Sequence, residues 1–270
     1  MKPKYFSIPY VVWMGIFVVA PIIFVLIYAF TTSDGEMTLA NFSDMGRFLS
    51  VFLRSFWLAL ISTIICIVIG YPVAYILSRE GLRLQRLMIM LIMLPMWMNF
   101  LLRTYAWMSI LENTGLLNRL LAFIGLPTLS IINTSTAVVI GMVYNFLPFM
   151  ILPIYSVIVK IDRSLYEAAQ DLGANTRFLL RKLVIPMSLP GVLSGVMMVF
   201  VPAVSTFVIT QLLGGGMILL LGDVIEMQFL GTAYNPHLGS AIALVMMLVV
   251  ILFMYVMNRF GQGEERAVGL

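Results

Sequence analysis

The sequence predicts an all-α integral membrane protein with six transmembrane helices and both termini cytoplasmic. Three observations carry that prediction. The 270 residues are 61% hydrophobic and 10% charged, whereas a soluble domain is about 45–50% apolar and about 25% charged. The apolar residues gather into six runs, near the length of about 20 residues that crosses about 30 Å of hydrocarbon. Lys and Arg concentrate on alternate connections, as the positive-inside rule requires. With a mean hydropathy of +1.04 the solvent of this chain is the bilayer. Its formal charge of +4 is therefore no sign of a nucleic-acid partner.

The runs place spans at 8–31, 53–78, 87–111, 136–159, 187–213 and 240–260. The first follows a basic start like that of a signal peptide. Its apolar stretch exceeds the about 7–15 residues of a signal h-region and no small-x-small site follows, so it reads as a retained anchor. Several spans carry proline, at Pro72, Pro95, Pro148, Pro153, Pro190 and Pro202. Proline is common in membrane helices, and it also frees a carbonyl and kinks the chain. Both readings stay open for Pro95 and Pro202, where a kink would shape a path. Cys66 lies inside an apolar run as a small packing residue, and alone it forms no intrachain disulfide.

Orientation follows from the basic residues. With a cytoplasmic amino terminus, twelve are inside: Lys2, Lys4, Arg79, Arg83, Arg86, Lys160, Arg163, Arg177, Arg181, Lys182, Arg259 and Arg266. Four are outside or near an outer span end: Arg47, Arg54, Arg103 and Arg119. This bias puts 79–86 and 160–186 in the cytoplasm. The outer connections are 32–52, 112–135 and 214–239. The last begins Gly214-Gly215-Gly216 and has no Lys or Arg. Too apolar for a free loop and too interrupted for a span, it predicts a short re-entrant or interfacial helix. No internal repeat is evident, so a two-fold path requires a second chain.

The connection Asp162 to Pro186 is the longest well-charged stretch. Ser164 and Glu167 have capping-box spacing, and Ala168, Ala169, Gln170 and Leu172 favour helix. Gly173 suits the left-handed position after a helix. Asn175 or Thr176 then caps a second helix that Pro186 ends. Leu165, Ala168, Ala169 and Leu172 fall on one apolar stripe. A helix, a glycine turn and a second helix, held in water between two spans, read as a docking surface.

Glu167-Ala168-Ala169, Gly173 and Leu183-x-Ile185-Pro186 resemble the EAA motif of ABC-importer permeases, E-A-A-x3-G-x9-I-x-L-P. Leu183 and Ile185 depart from it by aliphatic exchange. The resemblance covers residues 50–260 and is closest to spermidine/putrescine permeases. It is carried further by GYPVAYILSR (70–79), LPMWMNFLLRTYAW (94–107), GMVYNFLPFMILPIYSVI (141–158) and GDVIEMQFL (222–230).

The resemblance implies a type I (MetI-like) importer permease fold in a bacterial cytoplasmic membrane. An N-terminal span and outer loop would occupy 1–50, the transmembrane domain 51–260 and a cytoplasmic tail 261–270. It implies docking of Glu167, Ala168, Ala169 and Gly173, with Pro186, on an ATP-binding subunit. The expected assembly has a second permease chain, two ATP-binding subunits and an extracytoplasmic solute-binding protein, and carries polyamines. No G-x-x-x-x-G-K-[ST] occurs here, so this chain has no P-loop. ATP and Mg would be bound by the partner, and the chain itself would be no enzyme. Permeases for thiamine, iron or another small solute share the pattern. Readings outside it are an ion-coupled secondary transporter and a non-transporting scaffold.

Polar residues inside a membrane are costly and are candidate sites. They are Asn99, Arg103, Tyr105, Tyr144, Asn145, Asp223, Glu226 and Gln228. A flexible polycation wants carboxylates and aromatic faces. Asp223 and Glu226, three apart, share a helix face, and with Trp97, Tyr105 and Tyr144 they would form an outer vestibule. Against this, Asp223 would serve as a helix cap, Glu226 would pair with Arg103 or Arg119, and the aromatics would anchor the interface. Arg103 would repel a polyamine, which favours a structural role or contact with the external binding protein. His237 reads as a surface residue.

Overall fold

The computed structural model describes residues 8–231 and 233–268, with side chains at 9–162, 164–231 and 233–259. Lys2 and Lys4, and the side chains of Arg163 and Arg266, lie outside the described residues. Among the described residues the regular elements are all helices. Five helices among these residues are long and apolar enough to cross a membrane, and the number is six where the bent pair Leu82–Trp97 and Phe100–Phe123 is counted as one span.

α1 comprises Ile8–Met14, a π turn Gly15–Val19 and Ala20–Ala29. Short turns at Ala40–Asp44 and Met45–Phe48 lead into α2, Leu49–Arg79. α3 is Leu82–Met93, α4 Phe100–Leu111, α5 Leu116–Phe123 and α6 Ser135–Ile158. α7 is Arg163–Asp171. α8 runs through Thr176–Leu179, a π turn Leu180–Val184 and Ile185–Ser205. α9 is Val208–Leu213, α10 Leu221–Phe229 and α11 Pro236–Val268.

The core is a three-helix bundle of α2, α6 and α8. Small residues let the backbones close in, as membrane helices require when no hydrophobic force drives them together. A Cβ on Gly70 would lie 3.1 Å from Met150 Cγ, and one on Gly191 2.8 Å from the Pro153 carbonyl. The buried set runs through Leu58, Cys66, Met142, Met150, Ile154, Val199 and Phe200. α1 stands outside this bundle and packs along α11, with Ala29 meeting Ala241 and Leu244. Most of its surface is exposed, including Tyr10, Trp13, Phe17 and Phe24, as suits a helix facing lipid or another apolar partner.

Contacts fix the directions. The end of α1 meets the start of α11 through Tyr28 and His237, whose rings lie 5.0 Å apart. At that same end Leu221 N donates to Ser55 Oγ at 2.8 Å, joining α10 to the beginning of α2. The far end of α2 meets α7.

The third expected span, 87–111, is not one helix. α3 passes through a 3-10 turn, Leu94–Trp97, into an extended Met98, and the pair of arms bends by 91°. Pro95 removes a donor inside the turn, and the Asn99 side chain accepts from Leu101 N at 2.8 Å, starting α4 afresh. The fifth expected span, 187–213, also breaks. α8 ends at Ser205, Thr206 is extended, and α9 begins at Val208. Pro202 lies inside the last turn of α8. The expected short helix in 214–239 is α10.

Candidate functional site

The first candidate site is the segment between α6 and α8. Its entry differs from the expected capping box. Asp162, not Ser164, is the N-cap: its backbone is extended and its carboxylate accepts from Ser164 N at 2.9 Å. Ser164 already has a place inside the helix, where its own side chain cannot cap the first turn. The hydrogen bonds from Ser164 hold the Asp162 carboxyl below its ordinary value. Glu167, displaced from the cap, is exposed on the helix surface.

The exit follows the expectation. Gly173 has φ +80. Ala174 N donates to Ala169 O at 3.0 Å and Gly173 N to Gln170 O at 2.8 Å, the two bonds of a Schellman motif. Asn175 Oδ1 then accepts from Phe178 N at 2.9 Å and starts α8. Pro186 does not end that helix. The π turn carries Ile185 N to Leu180 O, and the wider turn admits a proline, which has no N–H to give. The helix runs on to Ser205.

The expected apolar stripe divides between two faces. Tyr166 and Ala169 turn inward, Tyr166 being buried and Ala169 half-buried. Leu165, Glu167, Ala168 and Leu172 face outward, and Leu172 is 89% exposed. Leu172 and Ala168, one turn apart, thus lie on the outward face rather than in the core.

Behind α7 lies a knot that sequence spacing did not reveal. Arg79, the last residue of α2, places its guanidinium 3.8 Å from the Tyr166 ring centroid and 5.3 Å from that of Tyr75. Tyr155 Oη donates to Gln85 Oε1 at 2.9 Å, and Gln85 Nε2 donates to Glu80 O at 2.8 Å. Tyr71 Oη and Ser188 Oγ are 2.8 Å apart. A cavity of about 440 Å³ lies among Arg79, Glu80, Gln85, Ile161 and Tyr166. The polar residues Tyr71, Tyr75 and Arg79, spaced by four along an otherwise apolar span, were the available signal.

The second candidate site is the broken-helix region around α4, α9 and α10. Asp223 is 2% exposed. It accepts from Thr210 Oγ1 and from Leu220 N, each at 2.8 Å. Oδ1 thus joins α9 to α10, while Oδ2 caps the first turn of α10. Burial pushes its carboxyl up to about 6, against the opposing pull of those donors. Glu226 is half-buried and accepts from Gln211 Nε2 at 3.3 Å. Neither Arg103 nor Arg119 meets it: among the described residues the ion pair present is Arg47 with Asp44.

Tyr144 packs edge-on against Trp107 at 5.1 Å. Asn145 is buried and donates to Gly141 O at 2.9 Å, while its Oδ1 lacks a partner. Arg103 is also buried, with an unpartnered Nε and its Cζ 5.9 Å from the Phe100 ring. Trp97 and Tyr105 are exposed. Among the described residues no hydrogen bond or ring contact joins either to Asp223 or Glu226. Gln228 is buried beside Gly239. His237 is engaged with Tyr28 O at 3.1 Å.

Comparison with known proteins identifies the family of the chain. Residues 67–263 match the family described as binding-protein-dependent transport system inner membrane component. The chain is 37% identical over 268 residues to the spermidine/putrescine transport system permease protein PotB of Haemophilus influenzae, covering 96% of this chain and 93% of that one. It is 35% identical to the protein of the same name from Escherichia coli K12, covering 96% and 97%. In structure it resembles a chain of a bacterial ABC transporter involved in import of the acidic polysaccharide alginate, with a TM-score of 0.82 at 16% identity over 96% of this chain and 94% of that one. It also resembles a chain of the inward-facing MetNI methionine ABC transporter, with a TM-score of 0.62 at 18% identity over 82% and 98%. The chain is thus a multi-pass membrane protein with the fold of these transporter chains, and it belongs to the binding-protein-dependent transport system inner membrane component family.

Proposed function

We propose that this chain is the permease subunit of an ATP-driven importer of polyamines, spermidine and putrescine being the substrate class. The observation that carries this reading is the likeness to the spermidine/putrescine permeases over nearly the whole chain. The geometry of the α7 hairpin supports the ATP-driven part. Its outward face presents Leu165, Glu167, Ala168 and Leu172, its turn is fixed by Gly173, and its exit runs through Pro186 into a helix of the core bundle. A partner moving α7 therefore moves α8.

In this reading the hairpin is cytoplasmic, as the positive-inside bias supports. Two separate ATP-binding subunits hold ATP and Mg and carry out hydrolysis, with no catalytic residue in this chain. A second permease chain completes the path, and an extracytoplasmic solute-binding protein delivers the polyamine. Closing of the ATP-binding subunits draws the two α7 hairpins together and exchanges inward- for outward-facing arrangements of the bundle.

Glu226 and the aromatics divide the substrate work. Glu226, half-buried and held only by a neutral Gln211, attracts an ammonium group. Trp97 and Tyr105, exposed, and Tyr144 offer ring faces to the cation. Asn145, with a free Oδ1, supplies an acceptor. Asp223 positions α10 so that Glu226 faces the path. Purifying the chain from its native membrane tests the assembly. Co-purification of an ATP-binding subunit and a second permease, with ATP hydrolysis raised by the spermidine-loaded binding protein, is the expected result. A chain that retains neither partner would refute it.

A further inference from the structure

The bundle must receive the motion of α7 through something stiffer than the single covalent link to α8. Behind α7 a cavity of about 440 Å³ opens among Arg79, Glu80, Gln85, Ile161 and Tyr166. A void transmits no force, since its walls have no atoms in contact across it. Beside it the Arg79 guanidinium lies 3.8 Å from the ring centroid of Tyr166, a residue of the buried core that also holds Ile158 and Ile161.

The surroundings hold that contact in place. Tyr166 is buried, and burial keeps its phenol above the ordinary range. Tyr75, one turn before Arg79, brings its ring to 5.3 Å of the same guanidinium and its hydroxyl to 3.5 Å of Nη2. Among the described residues no carboxylate pairs with Arg79, so rings rather than an ion pair set its place. Beyond Tyr75, Tyr71 Oη meets Ser188 Oγ at 2.8 Å. One line of side chains thus runs from α7 through Arg79 along α2 and across to α8.

We propose that Arg79 and Tyr166 form a strut that carries displacement of α7 into α2, making Arg79 a positioning residue for coupled transport. The strut rests on the reading that α7 docks to an ATP-binding subunit. It lets α7 drive two core helices at once: α8 through the chain and α2 through the stack. A flat ring under a planar cation resists compression along the line joining them yet permits sliding.

The test uses the whole transporter, purified through this chain and reconstituted in phosphatidylethanolamine–phosphatidylglycerol vesicles. Spermidine transported per ATP hydrolysed is measured, together with retention of the ATP-binding subunit. Arg79→Gln and Tyr166→Ala should each lower that ratio by about tenfold, within the usual range of coupling between sites, while the subunit stays bound. Tyr166→Phe, which keeps the ring, should restore the ratio to within about twofold of the parent. A ratio unchanged in Arg79→Gln or Tyr166→Ala overturns the strut. So does loss of the subunit from Tyr166→Ala, which would make Tyr166 a docking residue. A parent chain that binds no ATP-binding subunit overturns the proposed function, and this inference with it.

Discussion

Thr210 Oγ1 donates to Asp223 Oδ1 at 2.8 Å, and Leu220 N closes the other carboxylate oxygen at the same distance. One buried side chain thereby ties the helix after the α8 break to α10, the helix that bears Glu226. Burial lifts this carboxyl from 3.8 to about 6, so the folded state binds its proton more tightly than the unfolded state. The contribution is fully present below the unfolded value and is lost as pH rises through about 6. A shift of that size corresponds to about 3 kcal/mol. The melting temperature of the purified transporter should fall between about pH 4 and pH 6 and level off above, and Asp223→Asn should flatten that fall. Parallel curves for the two proteins would contradict it.

Gly173 occupies the left-handed region with open space where a Cβ would stand. Substitution therefore costs backbone energy alone, about 1–2 kcal/mol for an ordinary residue. Gly173→Val should weaken retention of the ATP-binding subunit, and Gly173→Asn, which tolerates this conformation, should keep most of it. Equal losses in the two variants would show that conformation is not what the turn supplies.

Leu172 is 89% exposed at the end of α7. Leu172→Asp should leave the chain inserted and its melting temperature within a few degrees, because a surface change alters stability by about 0.5 kcal/mol or less. It should abolish co-purification of the ATP-binding subunit. Unaltered co-purification would remove Leu172 from the docking face.

A Cβ on Gly222 would come 2.5 Å from the Ser205 carbonyl and 2.6 Å from that of Thr206. Both neighbours are backbone at the α8 break, so neither can yield cheaply. Gly222→Ala should destabilise by about 1–3 kcal/mol and shift α10 away from α8. A melting temperature matching the parent would mean that the break is softer than its geometry implies.

The spans were readable because hydrophobic length is a strong signal, and positive φ at Gly173 was readable because few other residues adopt it. The two broken spans were less so. Pro95 and Pro202 marked the places, but proline is common in membrane helices and the 91° bend depends on how Asn99 restarts α4. Pro186 misled for the opposite reason, since a π turn takes up its missing donor. The Asp162 cap won over Ser164 by lying one position outside the helix, a matter of local backbone that spacing alone does not decide. Asp223 and Glu226, alike in sequence, part company in three dimensions because Thr210 and Gln211 come from another helix. The spacing by four of Tyr71, Tyr75 and Arg79 marks the α2 side of the Arg79–Tyr166 stack, but nothing in the sequence pairs that side with Tyr166, which lies in a distant part of the chain.

The decisive measurement is uptake of labelled spermidine by cells lacking this chain, with and without the chain restored. Uptake should be lost on deletion, return with the intact chain, require ATP and survive collapse of the proton and sodium gradients. Unaltered spermidine uptake with loss of another solute, or uptake driven by an ion gradient without ATP, would contradict the proposed function.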